Sequence, residues 1–234
     1  MQPSRGRIEE RLWRPSAGAL GGRRHRRPQQ IACLVPDPIA AWDPSLTAAV
    51  ATLLGEADAA VRDLNHDAPQ FAGLEALSRQ LLRQESVGSS RIEGLVIGQR
   101  RLAHAAADVG RDETASQIVG NVRAMEQSVA LGARSGAFRL EHLIAIHTTL
   151  LEATRDAHLG GVVRQDQNWV GGSAFSPAGA EYVPPPAEHV EALLDDLVAF
   201  VNRDDLPVVL QAAIAHAQFE PVHPFADGNG RAGR

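Results

Sequence analysis

Residues 223–234 read His223-Pro-Phe-Ala-Asp-Gly-Asn-Gly-Arg-Ala-Gly-Arg234. The run holds an imidazole, a carboxylate, three glycines, an asparagine and two guanidiniums. Those are parts for holding a polyphosphate and moving a proton beside it. Glycine has no Cβ, so backbone N–H groups can approach phosphate oxygens closely. Arg231 and Arg234 offer planar, permanently charged forks. Asp227 suits Mg²⁺, which takes few protein oxygens and shares the rest with phosphates and water. His223 can accept a proton from an incoming hydroxyl near neutral pH. A Walker A loop is excluded, because it needs a lysine and the chain has none. A zinc site from His216, His223 and Asp227 would leave the glycines and arginines unexplained.

The run matches the Fic-family signature His-Pro-Phe-x-Asp/Glu-Gly-Asn-Gly-Arg-x-x-Arg at every defined position, and so resembles that family. The resemblance implies a protein adenylyltransferase. Such an enzyme moves AMP from ATP to a Ser, Thr or Tyr hydroxyl of a target protein. It implies His223 as general base and Asp227 as the ligand of a Mg²⁺ cofactor. It implies Gly228, Asn229 and Gly230 as an anion nest, and Arg231 and Arg234 as phosphate-binding arginines.

A second stretch gains meaning beside the first. Ser89-Ser-Arg-Ile-Glu93-Gly94 fits the family's inhibitory pattern Ser/Thr-x-x-x-Glu-Gly/Asn. Six residues alone are a weak signal. Upstream of an intact nucleotide loop the signal is strong. A carboxylate can pair with the arginine that would hold the ATP γ-phosphate, and one fork takes one anion. Ser89, Glu93 and Gly94 are therefore the implied inhibitory residues, with Glu93 facing Arg234.

Around these motifs the chain reads as helical. It has 234 residues, 44% hydrophobic with only 4% aromatic, enough for a sizeable core. Its net charge of −5 argues against general nucleic-acid binding. The single Cys33 excludes an internal disulfide and fits a reducing, cytoplasmic setting, where a small buried side chain is its expected role. No apolar run approaches the ~20 residues of a membrane span. Residues 1–30, rich in Arg, Gly and Pro, read as a basic, disordered arm. DNA binding through that arm is a separate reading, resting on residues 5–27 alone.

Helical spacing appears from Asp43-Pro-Ser45 through Leu46, Val50, Leu53, Leu54, Val61 and Leu64. It recurs in Leu74–Glu85, in 95–112 with Arg100-Arg101 on a solvated face, and in Gln117–Ala130 with Ile118, Val122, Met125 and Val129. Further helices are expected over Leu140–Leu151, over Pro186–Val201 and from Asp205-Leu-Pro207 into the signature. The last should be tightly buried, with His216 in or beside the core. His142 and His147 read as structural. Val162, Val163, Trp169, Val170 and Glu181-Tyr-Val183, bounded by Gly pairs and Pro184-Pro-Pro186, form the one expected β-hairpin. It is similar to the family's flap, on which a protein substrate would dock.

The expected architecture is all-α. A Fic-type helical bundle carries one hairpin flap (162–183) and an N-terminal helical region with the inhibitory motif. The divisions are the arm at 1–30, the N-terminal region at 31–114 and the core at 115–234. The implied partners are ATP and a protein substrate, with no membrane and no nucleic acid; a homo-oligomer is left open. The chain ends at Arg234, the final signature residue. The helix that follows it in the family is expected to be missing, and transfer by this chain to be weak or absent. The alternative is a truncated, inactive fragment that serves as a nucleotide- or protein-binding, regulatory module.

Overall fold

Seven α-helices and one two-stranded sheet make up the described part of the chain. The computed structural model describes residues 6–15, 22–67, 73, 75–98, 112–134 and 136–234. In chain order the elements are β1 (Arg7–Trp13), β2 (Gln29–Val35), α1 (Ala48–Asp67), α2 (Glu75–Ile92) and α3 (Glu113–Gly132). Then come α4 (Leu140–Leu151), α5 (Ala187–Val201), α6 (Val208–Val222) and α7 (Asn229–Gly233).

The core is built on α5. Val190, Leu193, Leu194, Leu197 and Phe200 recur at helical spacing and are all buried. Against them pack Leu143 of α4, Phe219 and Val222 of α6, and Phe225 of the signature. Full burial of such a side chain contributes about 1.5–3 kcal/mol. The signature is thus anchored in the centre of the molecule. Phe200 extends the stripe, and Val201 packs half-buried against the same core.

Helix α3 starts at Asp112, whose carboxylate accepts from the Ala115 amide at 3.3 Å. It lies between α2 and α4. Two neighbours require two buried faces, so Ala115, Ile118, Val119, Asn121 and Ala124 turn inward. The expected stripe is corrected accordingly: Met125 is half-buried and Val129 exposed. The contact with α2 is mixed: Val87 packs against the Ala115, Ile118 and Val119 cluster, and polar groups bond beside it. Asn121 Nδ2 donates to the Ser86 carbonyl at 2.8 Å and to Ser90 Oγ at 3.1 Å. Ser86 Oγ meets Met125 Sδ at 3.2 Å. Ser86, Ser90 and Asn121 are buried.

Several expectations need correction. Residues 7–13 are not a disordered arm. They pair antiparallel with Gln29–Val35, from Arg7↔Val35 to Trp13↔Gln29. Ile31, Cys33 and Val35 supply the buried face that holds the pair. Glu9 joins His189 of α5 at 2.9 Å, and Arg11 pairs with Glu188. The 162–183 segment is no regular hairpin; it carries isolated bridges, Val170↔Tyr182 and Ser173↔Ser176 among them. Its polar side chains cap the end of α6 instead of continuing a ladder. Helix α1 begins at Ala48, four residues beyond Pro44, and α2 runs on to Ile92, through most of the inhibitory motif. The expected helix over 95–112 falls mainly at 99–111, outside the described residues; 95–98 are not helical. Helix α6 buries only Gln218, Phe219 and Val222. Val208 and His216 are exposed. The signature itself ends in a short helix, α7.

Candidate active site

Pro221 sits in the last turn of α6, and the helix ends at Val222. His223 then adopts the left-handed conformation, φ 48° and ψ 59°. It is the one non-glycine with positive φ among the described residues. Such a residue persists only where its surroundings hold it. Here the holding groups come from the flap. Arg164 Nε donates to the His223 carbonyl at 2.8 Å. Its other nitrogens donate to the carbonyls of Pro185 at 2.7 Å, Asp166 at 3.1 Å and Val222 at 3.4 Å. Asn168 Nδ2 reaches the Phe225 carbonyl at 3.0 Å, and Tyr182 Oη donates to the Pro221 carbonyl at 2.7 Å. A helix end leaves its last carbonyls without partners, and a cation there also meets the negative dipole end. Arg164 does both. Burial pulls its pKa down to about 10, which leaves it charged at neutral pH.

Sequence reasoning missed Arg164, since its partners are distant backbone carbonyls that no motif records. Arg164→Met should expose this dependence. Buried carbonyls left unpaired cost about 1–3 kcal/mol each. The expected loss is about 3 kcal/mol of stability, read by denaturant unfolding. Arg164→Lys should recover part of it. Equal stability in all three chains would show that the flap, not this side chain, caps the helix.

The loop beyond His223 is pinned from beneath. Phe225 is fully buried and stacks on His147, with ring centroids 3.6 Å apart. The Gly161 amide donates to His147 Nδ1 at 2.9 Å. Nε2 is thereby the protonated nitrogen, and donates to the Asp227 carbonyl at 2.9 Å. His147 is structural, as expected, and its structure is the loop's floor. Asn229 exchanges two hydrogen bonds with the Phe225 backbone, each 2.8 Å. Its side chain is therefore a brace, and what it can offer a ligand is its amide. Gly228 takes φ 76° against Leu150 and His147, and opens α7.

Above this floor lies a cavity of about 480 Å³. His223, Asp227, Gly228, Asn229, Gly230 and Arg231 line it, with Glu93 at its mouth. Burial lowers the His223 pKa from the usual 6.5, so the imidazole is neutral at pH 7. Arg231 is buried, and its Nη1 has no hydrogen-bond partner. Asp227 is half-exposed, with Oδ2 3.6 Å from Arg231 Nη2. The site therefore holds a buried cation short of a partner beside an accessible carboxylate.

Arg234 does not itself line the cavity but is held against Ser89 and Glu93 beside it. Its Nε donates to Ser89 Oγ at 3.0 Å, and its Nη2 pairs with Glu93. A Cβ added at Gly230 would run into Glu93 Oε1, so the carboxylate sits directly on the glycine. The two motifs, far apart in sequence, thus come together. Gly94 takes φ 76° just past the end of α2, a helix-terminating position, and lies outside the cavity lining. His216 is also apart: its Nδ1 bonds the Gly233 carbonyl at 2.9 Å. Among the described residues, the one His/Asp/Glu trio at ligand spacing is Glu9, Glu188 and His189, where Arg11 already pairs both carboxylates.

Residues 137–234 match the family model described as Fic/DOC family, and residues 51–130 the one described as Fic/DOC family N-terminal. Among curated proteins, a probable protein adenylyltransferase of Aquifex aeolicus is 44% identical over 57 residues, covering 24% of this chain and 18% of that one. The protein adenylyltransferase Fic of Culex quinquefasciatus is 28% identical over 172 residues, covering 70% and 32%. A solved Fic family protein from Desulfovibrio desulfuricans shares the fold with a TM-score of 0.62 at 23% identity, over 82% of this chain and 57% of the other. Fic-1 of C. elegans does so with a TM-score of 0.61 at 19% identity, over 79% and 56%. The chain spans about a third or less of the length of these two curated relatives.

Proposed function

The chain belongs to the Fic/DOC family, and from that premise we propose that it is a protein adenylyltransferase, restrained by its own Glu93. The target hydroxyl, of Ser, Thr or Tyr, attacks the α-phosphorus of ATP. A new P–O bond forms, the bond to the β-phosphate oxygen breaks, and pyrophosphate leaves. Nε2 or Nδ1 of neutral His223 takes the hydroxyl proton. Arg231, the buried cation with an unpartnered nitrogen, meets phosphate charge from below. The amides around Gly230 approach from the side, where no Cβ intrudes. The reading rests on one observation: base, carboxylate, glycine loop and an arginine with one unpartnered nitrogen share one cavity.

The donor set also suits Mg²⁺. Asp227 offers a hard, accessible oxygen at the rim of that cavity, and phosphates and water would complete the shell. Bound there, the ion supplies charge neutralisation of the phosphates. The target segment reaches His223 past the 162–183 flap. A lone, buried Cys33 suits work in the cytoplasm.

Label from ATP decides the reaction class. Radioactivity carried on the α-phosphorus should appear on protein, and radioactivity on the γ-phosphorus should not. Transfer of the γ-label would replace this reading with phosphorylation. Asp227→Ala should weaken ATP binding about tenfold with Mg²⁺ present and little without it, read by calorimetry. Equal losses in both conditions would make Asp227 structural.

A further inference from the structure

A second groove, of about 830 Å³, lies between the sheet and the flap. Trp169 lines both it and the cavity of His223, so the two spaces share a wall. Arg11, Leu12, Trp13 and Arg14 all line the groove. Successive residues of a strand point to opposite faces. A space that touches all four, and Ile31 of β2 as well, runs from the inner face of the sheet round to the edge of β1 at Leu12.

That edge is open. The Leu34 amide donates outward, to the Val183 carbonyl at 3.0 Å. Ile8↔Leu34 is therefore a non-hydrogen-bonded pair, and so are Glu10↔Ala32 and Leu12↔Gln30. It follows that Ile8, Glu10 and Leu12 turn their amides and carbonyls away from β2. Among the described residues β1 pairs only with β2, so these groups form a template for another extended chain.

The walls say what that chain carries. Trp13 packs edge-on to Trp169 at 5.8 Å, and Phe175 stands 47% exposed beside them. Arg11 and Glu188 neutralise each other. Arg14 lines the groove too, as does Asp166. Exposed Arg23 and Arg27 flank His25, whose ring packs against Phe175. Residues 1–30 hold eight arginines and two glutamates, in a chain whose net charge is −5. Arg14 lines the groove, Arg23 and Arg27 stand near its Phe175 end beside His25, and the acidic excess lies in the remainder of the chain.

We propose that this groove docks an extended acidic segment of the protein to be modified, paired to the β1 edge and seated on Trp13, Phe175 and Arg14. The proposal rests on the transferase reading for its purpose, since the shared wall at Trp169 leads the segment to His223. A nucleic acid would meet the same arginines, but would have no use for a strand edge.

The probe is a fluorescein-labelled peptide of about a dozen residues, long enough to span a strand. It alternates glutamate with valine and phenylalanine around a central serine. Its control carries arginine for glutamate, and a single-stranded oligothymidine of similar charge competes. Fluorescence anisotropy should show binding of the acidic peptide only. Trp13→Ala should weaken it about tenfold, and so should Arg14→Glu with Arg23→Glu, which leaves the hydrophobic packing intact. ATP affinity should not change in either. Unchanged peptide affinity in the charge variant would overturn the proposal. Displacement by the oligonucleotide at lower concentration than by unlabelled peptide would overturn it in favour of nucleic acid. Peptide binding that responds to both variants, in a chain that transfers no AMP to anything, would sustain the docking groove and count against the transferase reading alone.

Discussion

Replacing His223 by alanine is expected to lower AMP transfer by about 10²–10⁴-fold, the usual worth of a positioned general base. ATP affinity should stay within about twofold, because an uncharged imidazole adds little to phosphate binding. The loss should sit in kcat. The pH profile of the unaltered chain gives a second check. Burial lowers the His223 pKa below 6.5. Its basic form therefore persists as pH falls through 6.5, and the acid limb of kcat/KM should lie below that value. The same sign holds for folding: a depressed pKa gives stability that is present above 6.5 and lost as pH falls through the lower folded value. An unchanged rate in His223→Ala, measured with α-labelled ATP, would remove the imidazole from the reaction.

Glu93→Gly should act in the opposite direction. Glu93 pairs with Arg234 and rests on Gly230 at the mouth of the nucleotide cavity. Removing the carboxylate frees the guanidinium and the space together. Hydrogen bonds to charged groups contribute about 1.5–3 kcal/mol, but a half-exposed pair lies toward the lower end. That predicts a rise in transfer of about tenfold. Glu93→Gln should give less, because the amide still fills the space. The double variant with His223→Ala should be silent. No change in Glu93→Gly would show that this carboxylate does not compete with the nucleotide. Ser89, whose hydroxyl also accepts from Arg234, would then be the group to remove next.

The signature was legible because its chemistry is local. Twelve consecutive residues supply base, carboxylate, glycines and arginines. The core stripe of α5 was legible for the same reason, since Val190, Leu193, Leu194 and Leu197 lie on one helical face. What escaped was long-range. Arg7–Trp13 alternates charged residues with Ile8 and Leu12, so its buried face is signalled only by Ile31, Cys33 and Val35 on a partner some twenty residues away. Arg164 is an arginine among valines until the end of α6 folds onto it. The flap was misjudged in kind: Val and Trp suggested strand, but Arg164, Asn168 and Tyr182 tie it to α6 by side chains.

The seam between α2 and α3 has a mechanical meaning. Most helix pairs are glued by grease, and prising them apart exposes it to water. Here Ser86, Ser90 and Asn121 bond across a contact to which Val87 adds one small apolar patch. Each such bond contributes only about 1 kcal/mol net, because water takes over both partners on opening. Leu77 and Leu81, nearer the start of α2, are already in solvent. The helix that carries Glu93 is therefore fastened like a latch, not a weld. Parting that seam would expose Val87 and the small apolar cluster it covers, and little other grease.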